Sequence, residues 1–226
     1  MEVLPRGSAR GTPDGAPTVI CLKTPLLVPG DDIVAVARAA LERAGLEATP
    51  SDILAICESP LAITQGRIVR VDELRPGRAA RVFCRLFDQH GPMSTPYAMQ
   101  VAIDLVGLPR IALAVVSGLA GRVVGRHGDF YRVAGRQVAC IDDFTGTMPP
   151  WTQDIVLAPA DSQGVACRVA RELGCGAATV DANDLGKVEI LGCSPEVDRN
   201  VLAAALRGNP QGNDDEQTPL VLVRSR

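Results

Sequence analysis

The chain has few aromatic residues, two histidines and two lysines, and each scarcity narrows what it can be. Aromatics are 3% of 226 residues against 46% hydrophobic residues overall, so the core must be built from Ala, Val, Leu and Ile. Only Lys23 and Lys187 are lysines, and the other basic residues are arginine. Net charge is −3, which offers no basic field to nucleic acid or to an anionic membrane surface. The commonest nucleotide signatures, G-x-x-x-x-G-K-[ST] and G-x-G-x-x-G, are missing. No Gly-x-Ser-x-Gly elbow and no supporting Cys-His spacing occurs, so nucleophilic hydrolysis has no footing. The seven cysteines are odd in number and scattered without a C-x-x-C, which suggests neither a disulfide framework nor a zinc site. Residues 1–16 lack the apolar core of a signal peptide. The longest apolar stretch, Ile111 to Gly125, is broken by Arg122 and is too short to span a bilayer. A reduced, cytoplasmic protein without membrane or nucleic-acid partners is the expectation.

What is present alternates between strand and helix patterns, which points to an α/β fold with a single mixed-sheet domain. Pro, Gly and charge dominate residues 1–16, read as a disordered leader, and the domain is expected over 17–226. Strands are predicted at Thr18–Leu22, Ile53–Cys57, Asp154–Leu157 and Leu220–Val223. Asp31 and Asp32 open a helix that runs to about Ala44. Glu58-Ser59-Pro60 reads as a turn. Gly77–Asp88 and Thr95–Leu105 carry helical spacing. Ile111–Val124 fits either a buried strand with a turn or a buried helix, and Phe130–Ile141 reads as a strand or hairpin. Asp161 caps a helix that stops at Gly174. Ser194-Pro195 is expected to open a last helix ending at Gly208.

Two of these apolar segments run into acid. Ala139-Cys140-Ile141 is followed by Asp142-Asp143, and Ala177–Val180 by Asp181-Ala182-Asn183-Asp184. Unpaired buried carboxylates cost several kcal/mol, so acid at a strand end either caps a turn or holds a cation. Mg²⁺ takes one or two protein carboxylates and leaves its other positions to water and phosphate. A third acidic group, Asp214-Asp215-Glu216-Gln217, feeds the final strand. Anion contacts would come from Lys23-Thr24, from Arg67 after Gly66, or from Arg132 and Arg136.

The order of several short segments resembles a known family. Thr24-Pro25-Leu26-Leu27-Val28-Pro29-Gly30-Asp31-Asp32 resembles the P-x-I-x-x-G-D-D opening of the γ-glutamyl ligases that extend the deazaflavin coenzyme F420. Ser51–Ile56 is similar to their G-D-V-L-V-I, and Gln65-Gly66-Arg67 to the close of S-K-x-x-S-K-A-E-G-R. Ala134–Asp142, Leu157–Asp161, Thr179–Gly186 and Pro219–Arg224 resemble A-N-A-G-I-D-x-S-N, L-L-P-x-D-P-D, V-I-I-S-D-T-x-G-R and P-V-A-I-V-R-G in the same order. The resemblance implies a dimeric α/β ligase that uses GTP, or another nucleoside triphosphate, and Mg²⁺ or Mn²⁺. Such an enzyme turns a small-molecule carboxylate into an acyl phosphate, which an amino acid's amine attacks. It also implies that Asp142 and Asp184 bind metal; the adjacent Asp143 is a candidate third ligand, with Glu216 or Gln217 as candidate extra ligands. The family's two lysines are replaced by Ser59 and Ile63, so phosphate contact falls to Lys23, Thr24, Arg67 or Lys187. After Gly186, only Lys187–Ser194 precede the segment read as the last helix, where the family has a longer glycine-rich stretch. No catalytic acid, base or nucleophile is assigned. A relative that keeps the fold to bind a ligand or partner without catalysis is the rival reading, and a different metal-dependent transferase is the third.

Overall fold

The computed structural model describes residues 17–88, 93–142, 150–182, 186–212 and 216–224. The proposed leader, Asp143, Asp184 and the pair Asp214-Asp215 lie outside the described residues.

Strands β1 (Thr18–Leu22), β2 (Asp52–Cys57), β5 (Gly176–Ala182), β6 (Val188–Cys193) and β7 (Leu220–Arg224) form one mixed sheet in the order β1-β7-β2-β5-β6. Only β2 and β5 are parallel, with Ala55 opposite Ala178; β7 runs antiparallel to β1 and β2. Strand residues alternate between faces. Leu54, Ile56, Leu220 and Leu222 therefore join the layer that carries α1 (Ile33–Arg43) and α8 (Ser162–Leu173). Ile53, Ala55, Val221 and Val223 face α9 (Arg199–Leu206) on the other side. Each fully buried Leu or Ile in these layers contributes about 1.5–3 kcal/mol.

Beside this sheet stand α2 (Glu58–Thr64), a two-stranded ladder of β3 (Ile68–Arg70) and β4 (Asp154–Val156), and five further helices. These are α3 (Arg78–Phe83), α4 (Pro96–Val106), α5 (Leu108–Val123), α6 (Asp129–Ala134) and α7 (Arg136–Ala139). The helices close around Met99, Ile111, Phe130 and Val138. The result is a single α/β domain.

Several expectations hold. The Asp32 carboxylate accepts from Val34 N at the start of α1. Asp161 caps α8 by accepting from Gly164 N at 2.9 Å, and Gly174 ends it at φ 69°. Ile111–Val124 resolves in favour of a helix.

Three expectations fail, each for a local reason. Phe130–Ile141 instead holds two short helices, α6 and α7, broken at Gly135, because Phe130, Ala134 and Val138 are buried in the helical cluster. Glu58-Ser59-Pro60 is the first turn of α2, where proline costs little because its missing N–H would be unpaired anyway. The last helix starts at Arg199 behind the cap Asp198, not at Ser194-Pro195. Ser194 instead extends the sheet: its N–H donates to the Ala177 carbonyl at 2.9 Å and its Oγ accepts from Ala177 N at 3.1 Å.

Candidate functional site

The parallel strands β2 and β5 end side by side, and open α/β sheets bind ligands outside such carboxyl ends. A cavity of about 390 Å³ lies there, within the usual range for small-molecule sites. Its walls come from the β1–α1 loop (Thr24–Leu27), the β2–α2 junction (Cys57–Pro60), the end of β5 (Val180–Ala182) and the segments around Gln211 and Glu216–Pro219. Asp142 and Trp151 complete it.

Asp142 does not end a strand, since helix α7 and the turn at Cys140 precede it. It reaches the sheet side as an isolated bridge: Asp142 N donates to the Val156 carbonyl at 2.9 Å, and Val156 N donates back at 3.1 Å. Asp181 sits within β5 as the sequence pattern required. The third carboxyl of the cavity is Glu58, placed where β2 turns into α2.

The cavity is strongly acidic. Glu58, Asp142, Asp181 and Glu216 line it, and among the described lining residues there is no Lys or Arg. Burial, followed by the charges of Asp181, Asp142 and Glu189, pushes the Glu58 carboxyl up to about 8, against the pull of a hydrogen bond with Cys140. Asp142 is open to solvent through the cavity, yet the surrounding protein raises its carboxyl; Asp181 adds to this and a hydrogen bond from Ser59 Oγ offsets part of it. Asp181 is raised by burial and by Glu189, while Lys187 pulls it back. Burial pushes the Cys57 and Cys140 thiols up to about 12, so neither is a ready nucleophile.

Orphaned polar atoms gather at the same place. Glu58 Oε1, Trp151 Nε1 and Gln211 Oε1 are buried without a hydrogen-bond partner, and all three residues line the cavity. A buried polar atom left unpaired costs about 1–3 kcal/mol, which a ligand can recover. Gln211 is 6% exposed, and its carbonyl accepts from Thr218 Oγ1 at 2.6 Å. Gln217 lies in the left-handed region at φ 53°, unusual for a non-glycine residue, and its carbonyl accepts from Thr24 N.

Of the residues singled out from sequence, Thr24, Asp142, Asp181, Glu216 and Gln217 line the cavity. Lys23 is exposed beside Thr24 but does not line it. Arg67 donates to the Ala158 carbonyl and to Gln137 Oε1, bracing α7. Lys187 pairs with Glu189 at 3.5 Å on the β5–β6 hairpin. Among the described residues, no three His, Cys, Asp or Glu side chains come together as a metal-binding group. Asp142 and Asp181 both line the cavity, and they are the carboxylates there that could hold a cation. Glu58, Ser59, Trp151 and Gln211 were missed by sequence reasoning. Glu58 carried a usable signal, because it too is acid directly after a buried apolar strand.

Carboxyls and unpaired polar groups surround a cavity at the sheet's carboxyl ends, and the class is that of an α/β protein with an acidic cavity at that edge. Residues 21–180 match the F420-0:gamma-glutamyl ligase family, and the chain belongs to that family. The matched stretch stops at Val180, so Asp181, Gln211 and Glu216 reach the cavity from beyond it. No individual curated protein matches the chain. Among the described residues, no single helix is long and apolar enough to cross a membrane.

Proposed function

We propose that the chain joins a small-molecule carboxylate to an amino acid's amine, consuming a nucleoside triphosphate such as GTP by way of an acyl phosphate, and that the cavity houses this reaction. The observation that carries the reading is the convergence of the orphaned atoms of Glu58, Trp151 and Gln211 on one acidic cavity in a member of this family. Asp142 and Asp181 are the residues that would hold Mg²⁺ or Mn²⁺. A bound ion supplies positive charge against phosphate oxygens, which a wall without Lys or Arg does not provide. Ser59 holds the Asp142 carboxylate in place through its hydroxyl. Trp151 Nε1 offers a donor and Gln211 Oε1 an acceptor, enough to orient a polar substrate.

The test is calorimetric titration of GTP, with and without Mg²⁺, into wild type and Asp142→Ala. Metal-dependent binding that weakens at least about tenfold in the variant, some 1.4 kcal/mol, is expected. Wild type that binds no nucleotide with either metal would sink the proposal.

A second reading, a binding protein that kept the fold without the reaction, is favoured by one observation. Ser59 stands where the family carries a lysine, and none of Lys23, Arg67 or Lys187 lines the cavity. That reading predicts thermal stabilisation by dicarboxylates or amino acids and none by nucleotides.

A further inference from the structure

The three unpaired atoms of the cavity differ in sense. Glu58 Oε1 and Gln211 Oε1 accept hydrogen bonds, whereas Trp151 Nε1 donates one. Gln211 is only 6% exposed, so bulk water has little access to its acceptor. A carboxyl such as that of Glu58 keeps acceptor capacity whether ionised or protonated. Charge points the same way. Glu58, Asp142, Asp181 and Glu216 line the cavity, with no Lys or Arg among the described lining residues. The cations nearby in the fold, Lys187 and Arg136, pair with Glu189 at 3.5 Å and 2.9 Å, and neither lines the cavity. A cation on Asp142 and Asp181 would leave Glu58 unanswered, because no three Asp, Glu, His or Cys side chains among the described residues converge as a metal-binding group. Between the polar groups the walls are aliphatic, from Leu26, Leu27, Pro60, Ile63, Val180 and Pro219.

An amino acid with a basic side chain supplies each missing partner. Its side-chain ammonium is all donor and no acceptor, suited to Glu58 Oε1 and Gln211 Oε1. Its single carboxylate accepts from Trp151 Nε1. Its methylenes lie along the aliphatic walls while the charge stays with the polar groups. A dicarboxylic amino acid matches badly, since it brings two anions to four carboxyls and finds one unpaired donor for both. Burying anions beside anions without a counter-charge is strongly unfavourable. An apolar amino acid leaves both acceptors unpaired.

We propose that the amino acid this cavity takes is one with a basic side chain, of the lysine or ornithine class, held by its ammonium on Glu58 and Gln211 and by its carboxylate at Trp151. As a substrate assignment this rests on the ligase reading above; as a binding site it stands on the unpaired atoms and the charge of the walls. In the ligation the lone pair of the α-nitrogen, as the free amine, forms the amide bond to the acyl carbon. The bond from that carbon to the phosphate oxygen breaks, and the proton lost by nitrogen leaves with the phosphate. The anchored side-chain ammonium keeps its protons and has no lone pair to attack with, so anchoring it selects the α-amine.

Calorimetric titration of L-lysine, L-norleucine and L-glutamate into the full chain, with and without GTP and Mg²⁺, tests this. L-Lysine is expected to bind at least about tenfold tighter than L-glutamate, and tighter by the same margin than L-norleucine, which lacks only the ammonium. Glu58→Met and, separately, Gln211→Met keep the side-chain length and remove the acceptor. Each is expected to weaken L-lysine at least about tenfold with unchanged circular dichroism, and either variant decides if the other misfolds. L-Lysine that binds under neither condition, binds no tighter than L-norleucine or L-glutamate, or keeps its affinity in both variants overturns the proposal. The GTP titration separates this from the ligase reading. L-Lysine binding without any nucleotide binding upholds the ammonium site and sinks the ligation, whereas nucleotide binding with L-glutamate preferred overturns the proposal and leaves the ligation standing.

Discussion

Replacing Glu58 by glutamine is expected to stabilise the fold, increasingly so as pH rises. Burial comes first among the causes that lift this carboxyl from 4.5 to about 8, with the charges of Asp181, Asp142 and Glu189 adding to it. A raised folded-state pKa means the native chain keeps a proton that the unfolded chain releases. The native state thus binds more protons between those two values, and stability falls as pH increases through that window. Glu58's contribution is fully present below the unfolded value and is lost as pH passes about 8. At 1.36 kcal/mol per pH unit, the cost of keeping Glu58 at pH 7 is about 3 kcal/mol, which solvent screening of this partly exposed side chain reduces to about 1.5 kcal/mol. Glutamine has the same shape and no charge to bury. Urea unfolding followed by circular dichroism, on wild type and Glu58→Gln across pH 5 to 9, measures the difference. It is expected to be under about 0.5 kcal/mol at pH 5, about 1.5 at pH 7 and larger at pH 9. A difference that does not change with pH, or a wild type that is the more stable at pH 9, refutes the reasoning. The gain in stability comes with loss of the cavity's central carboxyl, a trade common at functional sites.

Asp52→Asn is expected to cost about 3 kcal/mol by calorimetry, because it leaves Arg224 without its two-pronged partner. The buried Asp52 carboxylate accepts from Arg224 Nε at 3.0 Å, from Arg224 Nη2 at 2.9 Å and from Thr49 N at 2.8 Å. Burial alone would raise Asp52, but these bonds hold it below the usual range. Its stabilising share is therefore present above about pH 4 and disappears as pH falls through the folded value. Gly192→Ala is expected to lose about 2–3 kcal/mol in urea unfolding, since its β-carbon would sit 2.5–2.6 Å from the backbone of Ser162 and Gln163. Gly208→Ala, which meets nothing within 4 Å, serves as the control and is expected to stay within about 0.5 kcal/mol.

Where the sequence carried strong local chemistry, the fold was legible. Asp161 and Gly174 bound α8 because a carboxylate cap and a left-handed glycine leave the backbone few alternatives. The continuous apolar runs of β2 and β7 likewise allow little but a strand covered on both faces. Phe130–Ile141 was misread because its helical repeat is interrupted at Gly135, φ 100°, leaving two pieces each too short to show a period. Ser194 looked like a cap until a ladder partner, Ala177, took both its N–H and its hydroxyl. At the site, the rule that acid after a buried strand deserves suspicion found Asp181, reached Asp142 although helix α7 and not a strand precedes it, and applied equally to Cys57-Glu58. Proline at position 60 suggested a turn and hid it. Trp151 and Gln211 were out of reach, because their importance lies in bonds they do not make, and only the packed cavity reveals that.

The position of β7 sets an order of assembly. Strands β1 and β2 do not touch; β7 lies between them, hydrogen-bonded to both. Synthesis reaches β7 after every other described element, so until Leu220–Arg224 emerge β1 has no sheet neighbour and β2 keeps one bare edge. The two halves of the sheet must wait apart and then close around a strand inserted through their middle. Pairing at such sequence separation is slow, and the waiting edges are the surfaces on which newly made chains would stick to one another.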